Sequence, residues 1–182
     1  MIRRLALEAL SMAGIDDVAI VVGYEKEQNI EHVKSRKPSV TQRIRFFENP
    51  VFAITNNIYS LWLALEWLRG DSFVVLNAGV IFDPEILSAA VRLSAPPISM
   101  IVDPLWRDET MKVVVEGDHV IRMSKKISQE EFSGTYIGIT VFSKAIQDRF
   151  LRTMNELISA GRVNEFFNVA VQQLANEGTG RL

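Results

Sequence analysis

Short apolar runs alternate along this chain with stretches of helical periodicity, and that alternation admits few folds. Val18-Ala19-Ile20-Val21-Val22 has no polar interruption, which suits a strand buried on both faces rather than one with a wet side. Further strands are expected at Arg43 to Phe47, Ser72 to Asn77 and Ile98 to Val102, and Tyr136 to Phe142 reads as a further, alternating strand. Between them lie helical patterns. Residues 2–13 place Leu5, Ala9, Leu10 and Met12 at helical spacing and stop at Gly14, a C′ glycine. Glu25 to Ser35 turns Ile30 and Val33 inward, and Asn57 to Leu68 carries Ile58, Leu61, Trp62, Leu65 and Leu68 on one stripe before Gly70. Asp83-Pro84-Glu85 reads as N-cap, N1 and a dipole-favoured acid. Met111 to Glu116 and His119 to Ser124 flank a tight Gly117-Asp118 hairpin. Ser143 caps a helix to about Ala160, Gly161 breaks it, and Asn164 caps a last helix through Asn176. The succession predicts a single α/β domain over residues 1–182. A mainly parallel sheet lies between helices, with the hairpin and last strands at one edge.

Composition narrows the function classes. Apolar residues make up 48% and charged residues 23%, and the net charge of −2 offers no attraction to nucleic acid or anionic membranes. With no cysteine and only His32 and His119, metal ligation falls to carboxylates. Met1-Ile2-Arg3-Arg4-Leu5-Ala6-Leu7 resembles a signal n-region until Glu8 interrupts it, and no 18-residue apolar segment follows. The expectation is a cytoplasmic protein.

Polar residues at strand ends and helix starts are where open α/β sheets hold ligands, and two such junctions lie between Phe46 and Asp83. Thr55, Asn56, Asn57 and Ser60 stand at a helix start, where hydroxyls, amides and free N–H groups hold a base or phosphate. Capping needs one such residue, and here there are several. Asn77 at a strand end could bond a ribose or shape a turn. Lys125 and Lys126 are mobile point charges suited to phosphate, or a solvated hairpin end. Trp62 belongs to a packing stripe. Trp106, in the Asp103-Pro104-Leu105-Trp106-Arg107 loop, could face a quaternary ammonium such as choline.

Asn49-Pro50, Thr55-Asn56-Asn57-Ile58-Tyr59-Ser60-Leu61 and Val75-Leu76-Asn77 together resemble the NTP-transferase family. The similarity is to its choline-phosphate cytidylyltransferase and sugar-phosphate nucleotidyltransferase branch, and runs from about Leu5 to about Gly178. The resemblance implies a Rossmann-like sheet of the nucleotide-diphospho-sugar-transferase type. It also implies a magnesium-dependent reaction that joins a nucleoside triphosphate, through a cytidylyl group, to a phosphorylated small molecule such as phosphocholine or a sugar phosphate, releasing pyrophosphate. It assigns nucleotide binding to Thr55, Asn56, Asn57, Ser60 and Asn77. Substrate binding falls to Asp103, Trp106, Lys112 and Tyr136, and catalysis to Lys125 and Lys126, the lysine that meets the transferred phosphate.

The chain departs from the family pattern in several places. No glycine-rich phosphate loop precedes the first helix, and Gly178 and Gly180 lie at the far end with no helix after them. Gly79 stands where the resemblance expects a metal-binding aspartate; Asp83 is the nearest carboxylate and reads as an N-cap. A second expected metal-binding aspartate, after the last helix, is absent, and Thr135 stands where relatives carry glutamate. Losing a metal's Lewis-acid contribution of several kcal/mol, at ~1.4 kcal/mol per decade, predicts a rate lower by about a thousandfold. The expectation is therefore a truncated relative lacking the first strand, with Met1 a doubtful start. An open sheet edge would then favour a homodimer. Three alternatives stand beside the enzyme reading. One is a ligand-binding relative without turnover, another a remnant with no function. The last is an α/β glycosyltransferase, whose usual Asp-x-Asp pair does not occur here.

Overall fold

The protein was analysed as a computed structural model, which describes residues 2–35, 42–93, 97–117 and 119–177. Its elements in chain order are α1 (Ile2–Met12), β1 (Asp17–Val22), α2 (Lys26–Ser35), β2 (Arg43–Glu48), α3 (Asn57–Leu65), β3 (Phe73–Leu76) and α4 (Pro84–Leu93). They continue with β4 (Ile98–Asp103), β5 (Lys112–Glu116), β6 (His119–Ser124), β7 (Gly134–Phe142), α5 (Gln147–Ser159) and α6 (Asn168–Asn176).

The class is α/β, with helices against the strands, as the alternation of segments requires. The strands, however, form two sheets. β1 and β2 make a two-stranded parallel pair, Asp17 opposite Arg43 through Val22 opposite Glu48. The other strands make a five-stranded sheet in the order β3-β7-β5-β6, with β4 also on β7. Every pairing in it is antiparallel. β7 takes β3 against Ile139–Phe142, β4 along most of its length and β5 at Gly134 and Thr135. A last strand expected at the edge thus lies in the middle of its sheet, and it is buried at almost every position instead of alternating.

Two apolar layers cover the sheets. On one side α1 and α4 bring Leu7, Ala9, Leu10 and Leu87 onto Val18, Ile20, Val74, Leu76 and Ile139, so this layer spans both sheets. On the other, Ile58 and Leu65 of α3 join Phe73, Phe142, Phe150 and Phe167. Phe73 stacks on Phe142 at 4.7 Å between centroids, and Phe150 lies 4.5 Å from Phe142. Burying aromatic rings of this size contributes the largest share of core energy per residue.

Several boundaries differ from expectation, each for a local reason. α3 ends at Leu65, because Trp67, Leu68 and Arg69 bond three residues back and tighten the chain into turns before Gly70, whose φ is 98°. Ser143 makes no side-chain cap; a short 3-10 turn, Lys144–Ile146, leads into α5. Asn164 does not start the last helix. Residues 162–167 run along the start of α3 instead, and α6 begins at Asn168. Gly14, at φ 74°, ends α1 as expected, and Asp83 caps α4 by accepting from the Glu85 N–H at 2.9 Å. β5 and β6 form the expected hairpin, with Gly117 at φ 59°. Asp118, Gly178 and Gly180 lie outside the described residues.

Candidate functional site

Asn49 follows β2 and is buried to 3% exposure, so its carboxamide must find partners inside the protein. Its Nδ2 donates to Thr55 Oγ1 at 3.0 Å and to Ser60 Oγ at 3.2 Å, while its Oδ1 accepts from the Val51 N–H at 3.1 Å. Thr55 in turn donates to the Val51 carbonyl. Asn56 Oδ1 caps α3 through the Asn57 N–H, and Asn57 Oδ1 accepts from the Phe167 N–H at 2.8 Å. The start of α3 is therefore laced to residues 163–167, to which the Asn56 and Ile58 N–H groups also donate. All four polar residues that the sequence singles out here, Thr55, Asn56, Asn57 and Ser60, have bonds within the chain. The hub, Asn49, escaped the sequence-based site assignment because a lone Asn before Pro50 reads as a turn.

A second group forms around the 103–112 loop. Asp103 accepts from the Leu105 N–H and from Arg107, and these bonds, the backbone one first, hold its carboxyl below the usual carboxylate range. Trp106 rests edge-on against Phe132 at 5.1 Å. Lys112, only 2% exposed, puts Nζ 4.5 Å from the Trp106 ring centroid and 3.4 Å from the carbonyls of Thr110 and Lys125. One face of Trp106 thus already holds the chain's own cation. Thr135 is buried and donates to the Leu105 carbonyl, fixing the same loop to β7.

The two groups meet at Lys125. Its backbone carbonyl serves Lys112, and its exposed Nζ lies 5.5 Å over the Phe166 ring, next to the segment that holds α3. Lys126 beside it is exposed, with its N–H on Ser124 Oγ. Below Phe166, a cavity of about 410 Å³ opens between the β5–β6 hairpin and α6, lined by Met111, Met123, Phe166, Asn168 and Gln172 among others. That volume lies in the range of small-ligand sites. The sequence reading did not mark Phe166, Asn168 or Gln172. Asn168 and Gln172 sit one turn apart on α6 and bond to the hairpin, Gln172 accepting from the Met123 N–H and donating to the Ile121 carbonyl, contacts that helical spacing alone does not reveal.

Two assigned residues lie elsewhere. Tyr136 is buried in the core with its hydroxyl 2.8 Å from Thr140 Oγ1, and burial pushes the phenol above its ordinary range. Asn77 shapes the turn after β3, its N–H on the Gly138 carbonyl. Gly79 follows in open space and offers no oxygen ligand beyond its backbone, and Asp83 is occupied in capping. Among the described residues no group of three or more His, Asp or Glu side chains is placed to hold a metal. The residues described do not fit a protein-bound magnesium ion at Gly79. No helix among them is long and apolar enough to cross a membrane.

No protein-family model matches the chain. It is 34% identical to the CMP-5'-(3-aminopropyl)phosphonate synthase of Streptomyces rubellomurinus over 88 residues, which are 48% of this chain and 13% of that protein. The structure of the inositol-1-phosphate CTP transferase from T. maritima superposes with a TM-score of 0.75 at 17% identity, over 97% of this chain and 69% of that one. The CTP:phosphocholine cytidylyltransferase of Streptococcus pneumoniae gives 0.64 at 20% identity, over 97% of this chain and 72% of the other. Sequence identities this low speak to architecture, and on that ground this chain has the fold of the CTP-using nucleotidyltransferases.

Proposed function

We propose that this protein is a nucleotidyltransferase of the cytidylyl type, which uses CTP and an acceptor carrying a phosphate or phosphonate. The observation that carries the reading is the convergence at Lys125. Its backbone carbonyl accepts from Lys112 and its ammonium lies over Phe166, in the strip that runs along the α3 start, within a fold shared over 97% of the chain with a CTP transferase. In this reading an acceptor oxygen attacks the α-phosphorus of CTP, a new P–O bond forms, and the bond to pyrophosphate breaks. Lys125 and Lys126 neutralise the charge spread over the transferring group and its neighbours. The laced start of α3 offers a rigid wall for the nucleotide, and Asp103, Trp106 and Lys112 shape the acceptor side. Because α-phosphorus chemistry rewards positioning and charge above all, a rigid first layer and one mobile ammonium suit it.

A second reading, ligand binding without turnover, is favoured by one specific observation: Gly79 and the occupied Asp83 leave that turn without a free carboxylate. Calorimetric titration tests the shared part of both readings. CTP should bind more tightly than ATP, GTP or UTP, and Lys125→Ala should weaken it about tenfold or more, ~1.4 kcal/mol. Equal affinity for all four triphosphates, or no effect of Lys125→Ala, would refute the assignment.

A further inference from the structure

Two aromatic rings flank the Lys112–Lys125 pair, and each already carries a cation of this chain. Lys112 Nζ lies 4.5 Å from the Trp106 centroid, and Lys125 Nζ lies 5.5 Å from that of Phe166. The rest of Trp106 is engaged too: Phe132 meets it edge-on, and its indole N–H donates to Asp108 at 3.0 Å. Nearby acids are matched in the same way. Asp103 accepts from Arg107 at 2.9 Å, and Arg162 forks Glu165 at 2.6 and 2.8 Å, while Glu109 of the loop is exposed. Among the described residues Lys112 meets the ring and two carbonyls and no carboxylate, so its charge is not cancelled there. The cavity below Phe166 has a different character. Amides of Asn168, Gln172, Gln173 and Asn176 line it, and no carboxylate does. Asn168 is 5% exposed, and its Nδ2 faces the Met123 sulfur at 3.8 Å, a weak acceptor.

We propose that Lys112 is a specificity-determining residue: it holds the Trp106 face against acceptors with a cationic head and directs the site to phosphate or phosphonate esters of uncharged, hydroxylated compounds. This rests on the nucleotidyl-transfer reading and narrows it. An ammonium or quaternary ammonium is recognised by an aromatic face or a free carboxylate. Lys112 fills the face of Trp106 and repels a second cation brought to the same ring, so discrimination comes from a like charge as well as from a lost contact. At 2% exposure its ammonium is enclosed by the loop it holds, which makes the charge a fixed part of the wall. Hydroxyls ask for something else. Each can donate and accept, as a carboxamide can, and Asn168 has a nearly unused Nδ2 at the cavity. In this account Trp106 serves Lys112 rather than a choline group.

Phosphocholine and its isostere 3,3-dimethylbutyl phosphate differ in the charge of the head and little else. Calorimetric titration of both into the full chain isolates that charge, with inositol 1-phosphate as the hydroxylated probe and CTP titrated in parallel. The parent should bind the isostere and inositol 1-phosphate at least about tenfold more tightly than phosphocholine. In Lys112→Met, which keeps the stem, the gap between phosphocholine and its isostere should close to within about threefold. Lys126→Met removes an exposed lysine from the same corner and should leave the gap at about tenfold. Phosphocholine binding as tightly as the isostere in the parent would overturn the proposal, whether or not a variant folds. So would a gap that survives Lys112→Met, or one that closes equally in Lys126→Met, which would reduce the effect to general charge. If CTP binds and none of the three phosphates does, the proposal falls and the nucleotide reading stands. If CTP does not bind, that reading fails and the proposal falls with it.

Discussion

Lys112 places a cation where almost no water reaches, against an indole ring and two carbonyls at the long limit of hydrogen bonding. Such a group stabilises through its buried stem and its ring contact more than through its charge. Lys112→Ala should therefore cost about 1–3 kcal/mol in urea unfolding, through lost packing. Lys112→Met keeps the stem and sheds the desolvated charge, and should stay within about 1 kcal/mol of the parent. A larger loss for Met than for Ala would show that the ammonium itself holds the loop. Asn49 makes a sharper case. Asn49→Ala leaves its partners Thr55, Ser60 and the Val51 N–H short of a bond each, for an expected loss of about 1–3 kcal/mol. Two titrations point in opposite directions along the pH axis. Asp103 has its carboxyl pKa lowered in the fold, so its contribution is present above about pH 4 and fades as pH falls through the folded value. Asp103→Asn should flatten the acid limb of a stability profile. Tyr136 has its pKa raised by burial, so its contribution is whole below about pH 10 and is lost as the solution becomes more alkaline. Tyr136→Phe should flatten the alkaline limb, though at a cost for the unpaired Thr140 hydroxyl.

At the scale of elements, β7 depends on a glycine. Gly138 sits at φ 86°, and a Cβ there would lie 2.6 Å from Val80 Cγ2 and 3.0 Å from Asn77 Cβ. Gly138→Ala should destabilise by about 1–3 kcal/mol, and the damage should spread to the Asn77 turn, whose N–H bonds to the Gly138 carbonyl. A neutral substitution would mean that the turn relaxes freely. Elements shaped by their own residues were legible in the sequence: the Val18 to Val22 run, the Asp83-Pro84-Glu85 start, the Gly14 stop. Those decided by distant contacts were not. The 162–167 segment looked like a helix start because Asn164 has cap chemistry, but the N–H groups of Asn56 and Ile58 hold it as a connecting strip. β7 read as an alternating strand, since nothing local announces that β3, β5 and β4 will close on both of its sides. The site divided in the same way. Lys125 was visible as one of a lysine pair at a hairpin end, whereas Phe166, Asn168 and Gln172 gain their place only from how α6 packs on the hairpin.

At the scale of the molecule, the two sheets hold together through helices and side chains, with no strand ladder between them among the described residues. Cooperativity across the break therefore rests on the layer of Leu7, Leu10 and Leu87. Leu87→Ala, at a fully buried position, should cost about 2–5 kcal/mol. It should loosen β1 and β2 ahead of β7 in hydrogen exchange, and simultaneous loss of protection in both sheets would argue against that division. The central claim concerns chemistry, and it is tested most directly by pyrophosphate release from CTP. CTP should be offered with phosphocholine, inositol 1-phosphate, glucose 1-phosphate and 3-aminopropylphosphonate in turn, in magnesium buffer. The account predicts release that requires one of these acceptors, matches its consumption mole for mole, and falls at least about tenfold in Lys125→Ala. Acceptor-independent release, or none with any acceptor while CTP still binds, would contradict it and leave a nucleotide-binding protein without transfer activity.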